Sequence, residues 1–207
     1  MFIEVLESKY ARNEPILAKE ILNIFNNYSR AYIFRLIDQA ISNGELVKFD
    51  KGVYFLPSQS VMGISTISVE EVVNKKYIKD KNEIFGIYSG ISLQNAFHLT
   101  TQMPNTIEVI TNNESMRCRK VQLDGRTIIL RKSRCIIDNK NAGAYTILQL
   151  LSEMKMEMVE EIKVAIQKYM EENQVSCVEL ISLSEIFPAQ TTKKLLLSGV
   201  LNDFTSR

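Results

Sequence analysis

Apolar side chains recur at helical spacing in three segments near the start of the chain. The segments are residues 1–10, 16–25 and 29–43. The polar stretch 26–28 between the last two is short enough to hold two helices at a steep angle. Pro15 precedes the second segment, and proline is tolerated at a helix's first position, where its missing N–H would be unpaired. The pattern predicts three helices, the last two as a helix-turn-helix.

The third segment has two distinct faces. Ser29 stands where a helix N-cap is expected. The apolar face, predicted to lie on the core, carries Ile33, Leu36, Ile37, Ala40 and Ile41. At about 100° per residue, the opposite face carries Tyr32, Arg35, Gln39 and Ser42, with Arg30 near the helix start. These side chains can donate hydrogen bonds to phosphates or base edges, which makes this face a candidate DNA-binding surface.

Two alternating runs follow Gly44. Residues 45–49 and 53–56 flank Asp50-Lys51-Gly52, a pattern typical of a tight β-hairpin. Three helices followed by a hairpin is the element order of a winged helix-turn-helix domain, which we predict for residues 1–57. In such a domain the third helix enters the major groove, and the wing sets Lys48 and Lys51 against the sugar-phosphate backbone.

A unit of this kind can also serve as a protein-docking module, and its net charge here is zero. Seven basic and seven acidic residues lie within residues 1–57. The face that carries the positive charge discriminates between the two interpretations. The winged-helix prediction brings together Arg30, Arg35, Lys48 and Lys51, whereas Glu4, Glu7 and Glu20 lie on the earlier helices. We therefore favour DNA binding over docking.

The polar stretch 57–60 marks a predicted boundary, and residues 61–207 are predicted to form a mixed α/β domain. Helical spacing occurs in residues 68–77, 89–99, 142–151, 158–173 and 191–201, and strands are predicted at residues 84–88 and 106–111. The fold class is therefore α+β. It consists of an N-terminal winged helix-turn-helix followed by a mixed α/β domain with a basic β-hairpin and C-terminal helices.

Asp124-Gly125 is the strongest short hairpin signal in the chain. A two-residue turn there pairs Leu123 with Arg126, Val121 with Ile128, Arg119 with Leu130 and Arg117 with Lys132. Residues 116–134 hold seven basic residues and one acidic residue, a local net charge of +6. Like charges that face each other on a hairpin cost stability unless solvent or an anionic partner offsets the repulsion. We therefore mark a second basic surface, which consists of Arg117, Arg119, Arg131, Lys132 and Arg134. Solvent, nucleic acid and an acidic protein all remain open as its partner.

Global composition sets further bounds. The 207 residues include 25 basic and 24 acidic ones, a net charge of +1, so any nucleic-acid signal has to be local. Three widely spaced cysteines, Cys118, Cys135 and Cys177, and a single histidine predict reduced thiols rather than disulfides or a metal site. Residues 1–7 hold two acids and no long apolar run, which predicts neither a signal peptide nor a membrane span, and hence a cytoplasmic protein.

Motifs for catalysis and cofactors are weak or missing in the sequence. It has no Gly-x-x-x-x-Gly-Lys-Ser/Thr loop, and Gly86 with Gly90 is too sparse for a dinucleotide fingerprint, so no cofactor is expected. Asp124 with Asp138-Asn139-Lys140 is a weak pattern for a metal-dependent nuclease. Because Asp124 is better explained as a turn residue, we expect no enzyme activity and keep the nuclease only as an alternative.

Two stretches resemble one family, the AbiEi-type antitoxins of type IV toxin-antitoxin systems. The first consists of residues 14–16, 29–38 and 52–57, and it is similar to the family's winged helix ending in Gly-Val-Tyr and a proline. The second, residues 86–112, is the more specific, because winged helices are widespread.

This second stretch is similar to the family's Tyr-x-Gly helix, here Tyr88 to Gly90, and to its Leu-Thr-x-Gln-x-Pro turn, here residues 99–104. The sequence departs from the pattern at His98, where a glycine is expected before Leu99. The resemblance covers most of residues 14–112 and fades beyond residue 138.

The resemblance implies a two-part protein. The winged helix would repress its own operon by binding operator repeats in double-stranded DNA, and the C-terminal domain would counter a nucleotidyltransferase-like toxin without a stable complex. By position, the DNA contacts would be made by Ser29, Arg30, Tyr32, Arg35, Lys48 and Lys51. The alternative is a plain winged-helix regulator whose second domain senses a ligand or pairs with another copy, and a neighbouring toxin gene would separate the two.

Overall fold

The computed structural model describes residues 2–60, 63–102, 104–159 and 162–202. Helices and strands are mixed along the chain, which forms two compact units, residues 1–76 and 77–207. The predicted second domain starts at residue 61, which lies outside the described residues, so that boundary stays a prediction. None of the helices in these ranges is long and apolar enough to cross a membrane.

The first unit opens with three helices and a hairpin. They are α1 (Phe2–Glu7), α2 (Ala18–Ile24), α3 (Arg30–Ser42), β2 (Val47–Asp50) and β3 (Val53–Phe55). A two-residue strand that was not predicted, β1 (Ile16–Leu17), pairs antiparallel with β3 and completes a sheet of order β1-β3-β2. The expectation that Pro15 starts α2 is therefore wrong. Ile16 and Leu17 are buried in the sheet, and this tertiary pairing outweighs their helical periodicity.

The core of the first unit confirms the predicted apolar face of α3. Ile33, Ile37 and Ala40 are buried, and Leu36 and Ile41 are half-buried. They pack with side chains from the other helices and the sheet, including Leu6, Ile16, Ile21, Leu46, Tyr54 and Leu56. The apolar face therefore fixes the rotation of α3, and the polar face is left to solvent.

After β3 the first unit continues through β4 (Gln59–Ser60), β5 (Gly63–Ile64) and α4 (Val69–Val73), which runs into a π-helical turn, Asn74–Ile78. Ser68 caps α4, in a capping box with Glu71. The ammonium group of Lys75, 8% exposed, lies 2.9 Å from the carboxylate of Glu14 and 3.4 Å from that of Glu20. These ion pairs tie the segment after the hairpin to the start of the chain.

The second unit is built on a four-stranded sheet. Its strands are β8 (Gly86–Ser89), β9 (Thr106–Thr111), β10 (Arg119–Leu123) and β11 (Arg126–Lys132), in the order β10-β11-β9-β8, and the short strands β6 (Lys79–Asp80) and β7 (Glu83–Ile84) pair separately. β9 and β11 run parallel, and the other neighbours are antiparallel. The strand predicted at residues 106–111 is confirmed, and the one at 84–88 is divided between β7 and β8.

The predicted hairpin and its register are confirmed except at the open end. Asp124 and Gly125 have φ values of 46° and 76°, as a type I′ turn requires, and Arg119 pairs with Leu130. The pairing of Arg117 with Lys132 is wrong, because β10 begins only at Arg119. The preceding loop folds instead around the carboxylate of Glu114, which accepts the backbone N–H groups of the next two residues.

Helices complete the second unit. They are α5 (Gly90–Ala96), α6 (Ala142–Glu153), α7 (Lys163–Asn173), α8 (Cys177–Ser184) and α9 (Ala189–Leu197), with a 3₁₀ turn at Met156–Met158. α8 was not predicted, and part of the predicted helix 158–173 lies outside the described residues. α6 is central and almost entirely buried. The buried ammonium of Lys194 donates to the carbonyl oxygens of Leu151 at 2.9 Å and Met154 at 2.5 Å, which joins α9 to the end of α6.

Candidate functional site

Helix α3 presents to solvent the donor side chains that its periodicity predicts. The hydroxyl of Ser29 accepts the backbone N–H of Tyr32 at 3.3 Å, so Ser29 is the N-cap, as expected. Arg30, Tyr32, Arg35 and Gln39 are all exposed. The N-terminal half of the helix is thus rich in donors that no core contact consumes.

Aromatic rings hold the two arginines of this face. The rings of Tyr28 and Tyr32 stack at 5.3 Å, and the guanidinium of Arg35 lies 5.0 Å from the centroid of the Tyr32 ring. Arg30 lies in the same way over Phe34, at 5.6 Å. A ring orients a guanidinium without neutralising its charge. Tyr28 was not predicted, although its i, i+4 spacing from Tyr32 across the start of α3 was a usable signal.

Gln39 has different surroundings. It lines a groove with three carboxylates and one cation: Glu4 and Glu7 of α1, Glu45, which follows α3, and Arg12, which pairs with Glu7 at 2.6 Å. Carboxylates repel phosphate groups, so this end of the face is less suited to a polyanion than the end with Arg30 and Arg35.

The two lysines predicted on the hairpin are exposed. Lys48 is on β2, paired with Tyr54 of β3, and Lys51 is in the turn. Burial raises the pKa of Tyr54, and the negative charge of Asp38 on α3 raises it further. Tyr54 packs in the same core cluster as Ile33 and Ile37, so α3 lies against the hairpin. We call the exposed side chains of Ser29, Arg30, Tyr32 and Arg35, with Lys48 and Lys51, the α3 surface.

The second unit contains a cleft of about 820 Å³ beside the open end of the hairpin. Four of the five residues of the predicted second basic surface line it: Arg117, Arg131, Lys132 and Arg134. We call it the basic cleft. Its walls come from β9, β11, α5 and α6 and from the loop before β10, so residues distant in sequence meet there.

The fifth residue, Arg119, does not line the cleft and pairs with a carboxylate instead. Its Nε donates to Glu114 at 2.7 Å, and the Glu114 side chain is only 3% exposed. Burial raises the pKa of Glu114, but hydrogen bonds from the N–H of Met116 and from Arg119 outweigh it, so the pKa is lowered overall. Arg119 thus stabilises the loop before β10.

Two carboxylates that were not predicted share the basic cleft with the cations. Arg131 donates to Glu108 at 3.1 Å, and Glu153 accepts the backbone N–H of Gly90 at 2.9 Å. Both lie at Gly90, because a Cβ there would be 2.9 Å from a carboxylate oxygen of Glu108. Burial and the nearby Glu108 raise the pKa of Glu153, despite hydrogen bonds from Gln149 and Gly90.

Signals for these residues were present in the sequence. Tyr145, Gln149 and Glu153 recur every fourth residue and form one stripe of α6 that lines the cleft. Glu108 interrupts the apolar strand β9 on the face that carries Ile110. The hydroxyl of Tyr145 accepts the backbone N–H of the cleft residue Arg134 at 2.9 Å.

His98, where the resemblance predicts a glycine, has a left-handed backbone. His98 follows α5 with φ of 57° and is exposed. The N–H of Leu99 donates to the carbonyl of Gln94 and that of His98 to Asn95, both at 3.0 Å, which is a Schellman motif. The turn that follows includes residue 103, which lies outside the described residues.

The acidic residues weighed for a nuclease have local backbone roles. Asp124 is in the hairpin turn, and a carboxylate oxygen of Asp138 accepts the N–H groups of Lys140 at 2.9 Å and Asn141 at 3.0 Å. In the part of the chain that the structure describes, no group of three or more His, Cys, Asp or Glu side chains is placed to hold a metal ion.

The chain therefore presents two candidate sites, the α3 surface and the basic cleft, one in each unit. The first displays arginines over aromatic rings, and the second combines cations with carboxylates. Comparisons of the chain with protein-family models, with curated proteins and with solved structures found no match.

Proposed function

We propose that this chain is a DNA-binding transcriptional autorepressor that acts in the cytoplasm as the antitoxin of a type IV toxin-antitoxin system. The observation that carries the DNA-binding part is the α3 surface, where Arg30 and Arg35 are exposed and held over aromatic rings. The order helix, strand, helix, helix, hairpin in the first unit supports a winged helix-turn-helix interpretation. α3 is then the recognition helix.

In this proposal the N-terminal half of α3 enters the major groove. Arg35 reads a base edge, because a guanidinium can donate two parallel hydrogen bonds to O6 and N7 of guanine. The Tyr32 ring, 5.0 Å from the guanidinium, orients it before DNA arrives, which lowers the entropy lost on binding. Lys48 and Lys51 contact phosphates and position the helix without reading sequence. Gln39, beside Glu4 and Glu7, contributes least.

The antitoxin part of the proposal rests on the resemblance of residues 86–112. The stretch includes β8, α5 and β9, which lie side by side in the second unit, and the left-handed His98 follows α5. We assign to this unit the action against a nucleotidyltransferase-like toxin, without a stable complex between the two proteins.

A gel-shift titration tests the DNA-binding part. The full chain is mixed with the DNA upstream of its own gene, with random duplex as competitor. Binding that resists the competitor, and that is lost when Arg30 and Arg35 are both changed to alanine but kept when exposed Lys9 is changed, supports the proposal. If there is no preference for the upstream DNA, the first unit is a protein-docking module instead.

A growth assay tests the antitoxin part separately. The chain is co-expressed with the toxin candidate from the neighbouring gene, and we expect growth to be restored. The Arg30→Ala, Arg35→Ala double variant should still restore growth when expressed from an independent promoter. If growth is not restored by the wild-type chain, the antitoxin assignment is wrong even where the gel shift succeeds.

The basic cleft favours a second candidate function. A plain winged-helix regulator whose second domain senses a ligand would need a pocket, and the cleft supplies one of about 820 Å³. The growth assay separates the two, because a ligand-sensing regulator would not counter a toxin.

A further inference from the structure

The basic cleft has the size and the free cations of a small-molecule site. Its volume of about 820 Å³ falls within the range of roughly 300 to 1,000 Å³ usual for ligand pockets. Of its four cationic side chains, Arg131 pairs with Glu108. Arg117, Lys132 and Arg134 form no ion pair with any other residue that the structure describes, and Arg134 lies over the ring of Phe187 at 5.1 Å. Three cations are therefore available to an anion.

The carboxylates of the cleft restrict what that anion can be. Glu108 and Glu153 lie together at Gly90 and would repel the closely spaced phosphates of a nucleic-acid strand. They suit a ligand with one compact anionic group and neutral donors beside it. Each carboxylate oxygen can accept more than one hydrogen bond, so the contacts to Arg131, Gly90 and Gln149 leave acceptor capacity unused.

We propose that the basic cleft binds a small phosphate monoester that carries hydroxyl or amino donors near its phosphate. Arg117, Lys132 and Arg134 hold the phosphate, and Glu108 and Glu153 accept the donors. A sugar phosphate and a nucleoside monophosphate both have this chemistry. The site is independent of the α3 surface and goes beyond operator binding.

Isothermal titration calorimetry of the full chain tests this site with defined probes. The probes are glucose 6-phosphate, adenosine 5′-monophosphate, inorganic phosphate, glucose and adenosine. We expect a phosphate monoester to bind about tenfold tighter than inorganic phosphate, and far tighter than the matching compound without phosphate, because only the monoester engages both halves of the cleft. The tighter of the two monoesters identifies the source of the ligand.

Matched lysine variants locate the binding. Lys132→Gln should weaken monoester binding about tenfold, since it removes one charged contact to phosphate. Lys120→Gln is the control, because Lys120 is another exposed lysine of the same hairpin and does not line the cleft. It should leave binding unchanged. Thermal unfolding of both variants checks that the fold is kept.

A carboxylate variant tests the other half of the cleft. Glu153→Gln should bind inorganic phosphate more tightly, because repulsion is reduced, while the preference for the monoester over inorganic phosphate should shrink. The proposal is overturned if no phosphorylated probe binds saturably, or if Lys120→Gln weakens binding as much as Lys132→Gln. It is also overturned if a short single-stranded DNA displaces the monoester and binds more tightly than it, which would make the cleft a nucleic-acid surface. None of these results depends on operator binding.

Discussion

The α3 surface and the basic cleft both display arginines, and they differ in whether carboxylates lie among those cations. On α3, Arg30 and Arg35 lie over aromatic rings, which orient the guanidinium groups and leave their charge intact. In the cleft, Arg131 faces the carboxylate of Glu108, and Glu153 lies nearby. An un-neutralised surface suits a polyanion, whereas a mixed one suits a small ligand of defined shape. The partners of a cation therefore say more about its role than the local net charge does.

The largest effect is expected for Arg35→Ala. If Arg35 reads a base, its loss should reduce the preference for operator over random DNA by about 1 to 3 kcal/mol. A competition gel shift measures this preference directly. Arg35→Lys is the matched control, because it keeps the charge and loses the two parallel hydrogen bonds. It should lose nearly the same preference while keeping more of the affinity for random DNA.

Two results would contradict base readout by Arg35 or the independence of the two sites. If Arg35→Lys behaves as wild type, the residue contributes charge alone. If Arg35→Ala also abolishes monoester binding by the cleft, the two regions do not function separately.

The next effect concerns Glu114, which separates Arg119 from the other cations. Glu114→Gln should lower the free energy of unfolding by about 1.5 kcal/mol at pH 7, because it removes a buried charged acceptor. Since the folded-state pKa of Glu114 lies below its ordinary value of 4.5, the stabilisation is fully present above that value and is lost as the pH falls through the folded-state pKa. Urea unfolding of both proteins at pH 7 measures the loss of stability, and urea unfolding at pH 3 measures how far that loss has decreased.

The exposed Glu157→Gln serves as the control and should leave unfolding unchanged at either pH. A difference between wild type and Glu114→Gln that stays constant from pH 7 to pH 3 would mean that the ionised carboxylate is not the stabilising group.

The α3 surface was the easier of the two sites to predict, for a physical reason. Its residues lie within one helix and one hairpin, where periodicity fixes which side chains share a face. The Ser29 cap, the buried Ile33 and Ile37 and the exposed Arg35 all follow from that local rule. The basic cleft joins β9, β11, α5 and α6, and no local pattern specifies which distant segments meet.

The errors in the fold have the same origin. Ile16 and Leu17 continue a helical pattern, yet they pair with Val53 and Tyr54 as a strand. Arg117 continues the hairpin alternation, yet the loop around Glu114 ends β10 before it. In contrast, the turn at Asp124-Gly125 was predicted with its register, because two residues with positive φ specify a type I′ turn by themselves.

A smaller effect is expected for Lys51→Ala. A phosphate contact without sequence information should weaken binding to operator and random DNA alike, and the slope of log K against log salt should fall by about one. Titrations at several salt concentrations measure the slope. Lys9→Ala is the control and should leave it unchanged. A loss confined to the operator would mean that Lys51 reads sequence, which would extend base readout to the hairpin.

The smallest effect on stability is expected at the residues with left-handed backbone that follow α3 and α5. Gly44, at φ of 72°, follows the end of α3, and His98, at φ of 57°, follows the end of α5 beside the cleft. A left-handed backbone destabilises a residue that has a Cβ by about 1 to 2 kcal/mol relative to glycine. The extra entropy of glycine in the unfolded chain offsets about half of that difference. His98→Gly should therefore raise the free energy of unfolding by about 0.5 to 1 kcal/mol, and Gly44→Ala should lower it by a similar amount, both measured in urea. The wild-type histidine is exposed, so no packing is lost in the exchange.

If His98→Gly is instead destabilising, the imidazole contributes a favourable interaction, and monoester titration of that variant would show whether the interaction matters at the cleft.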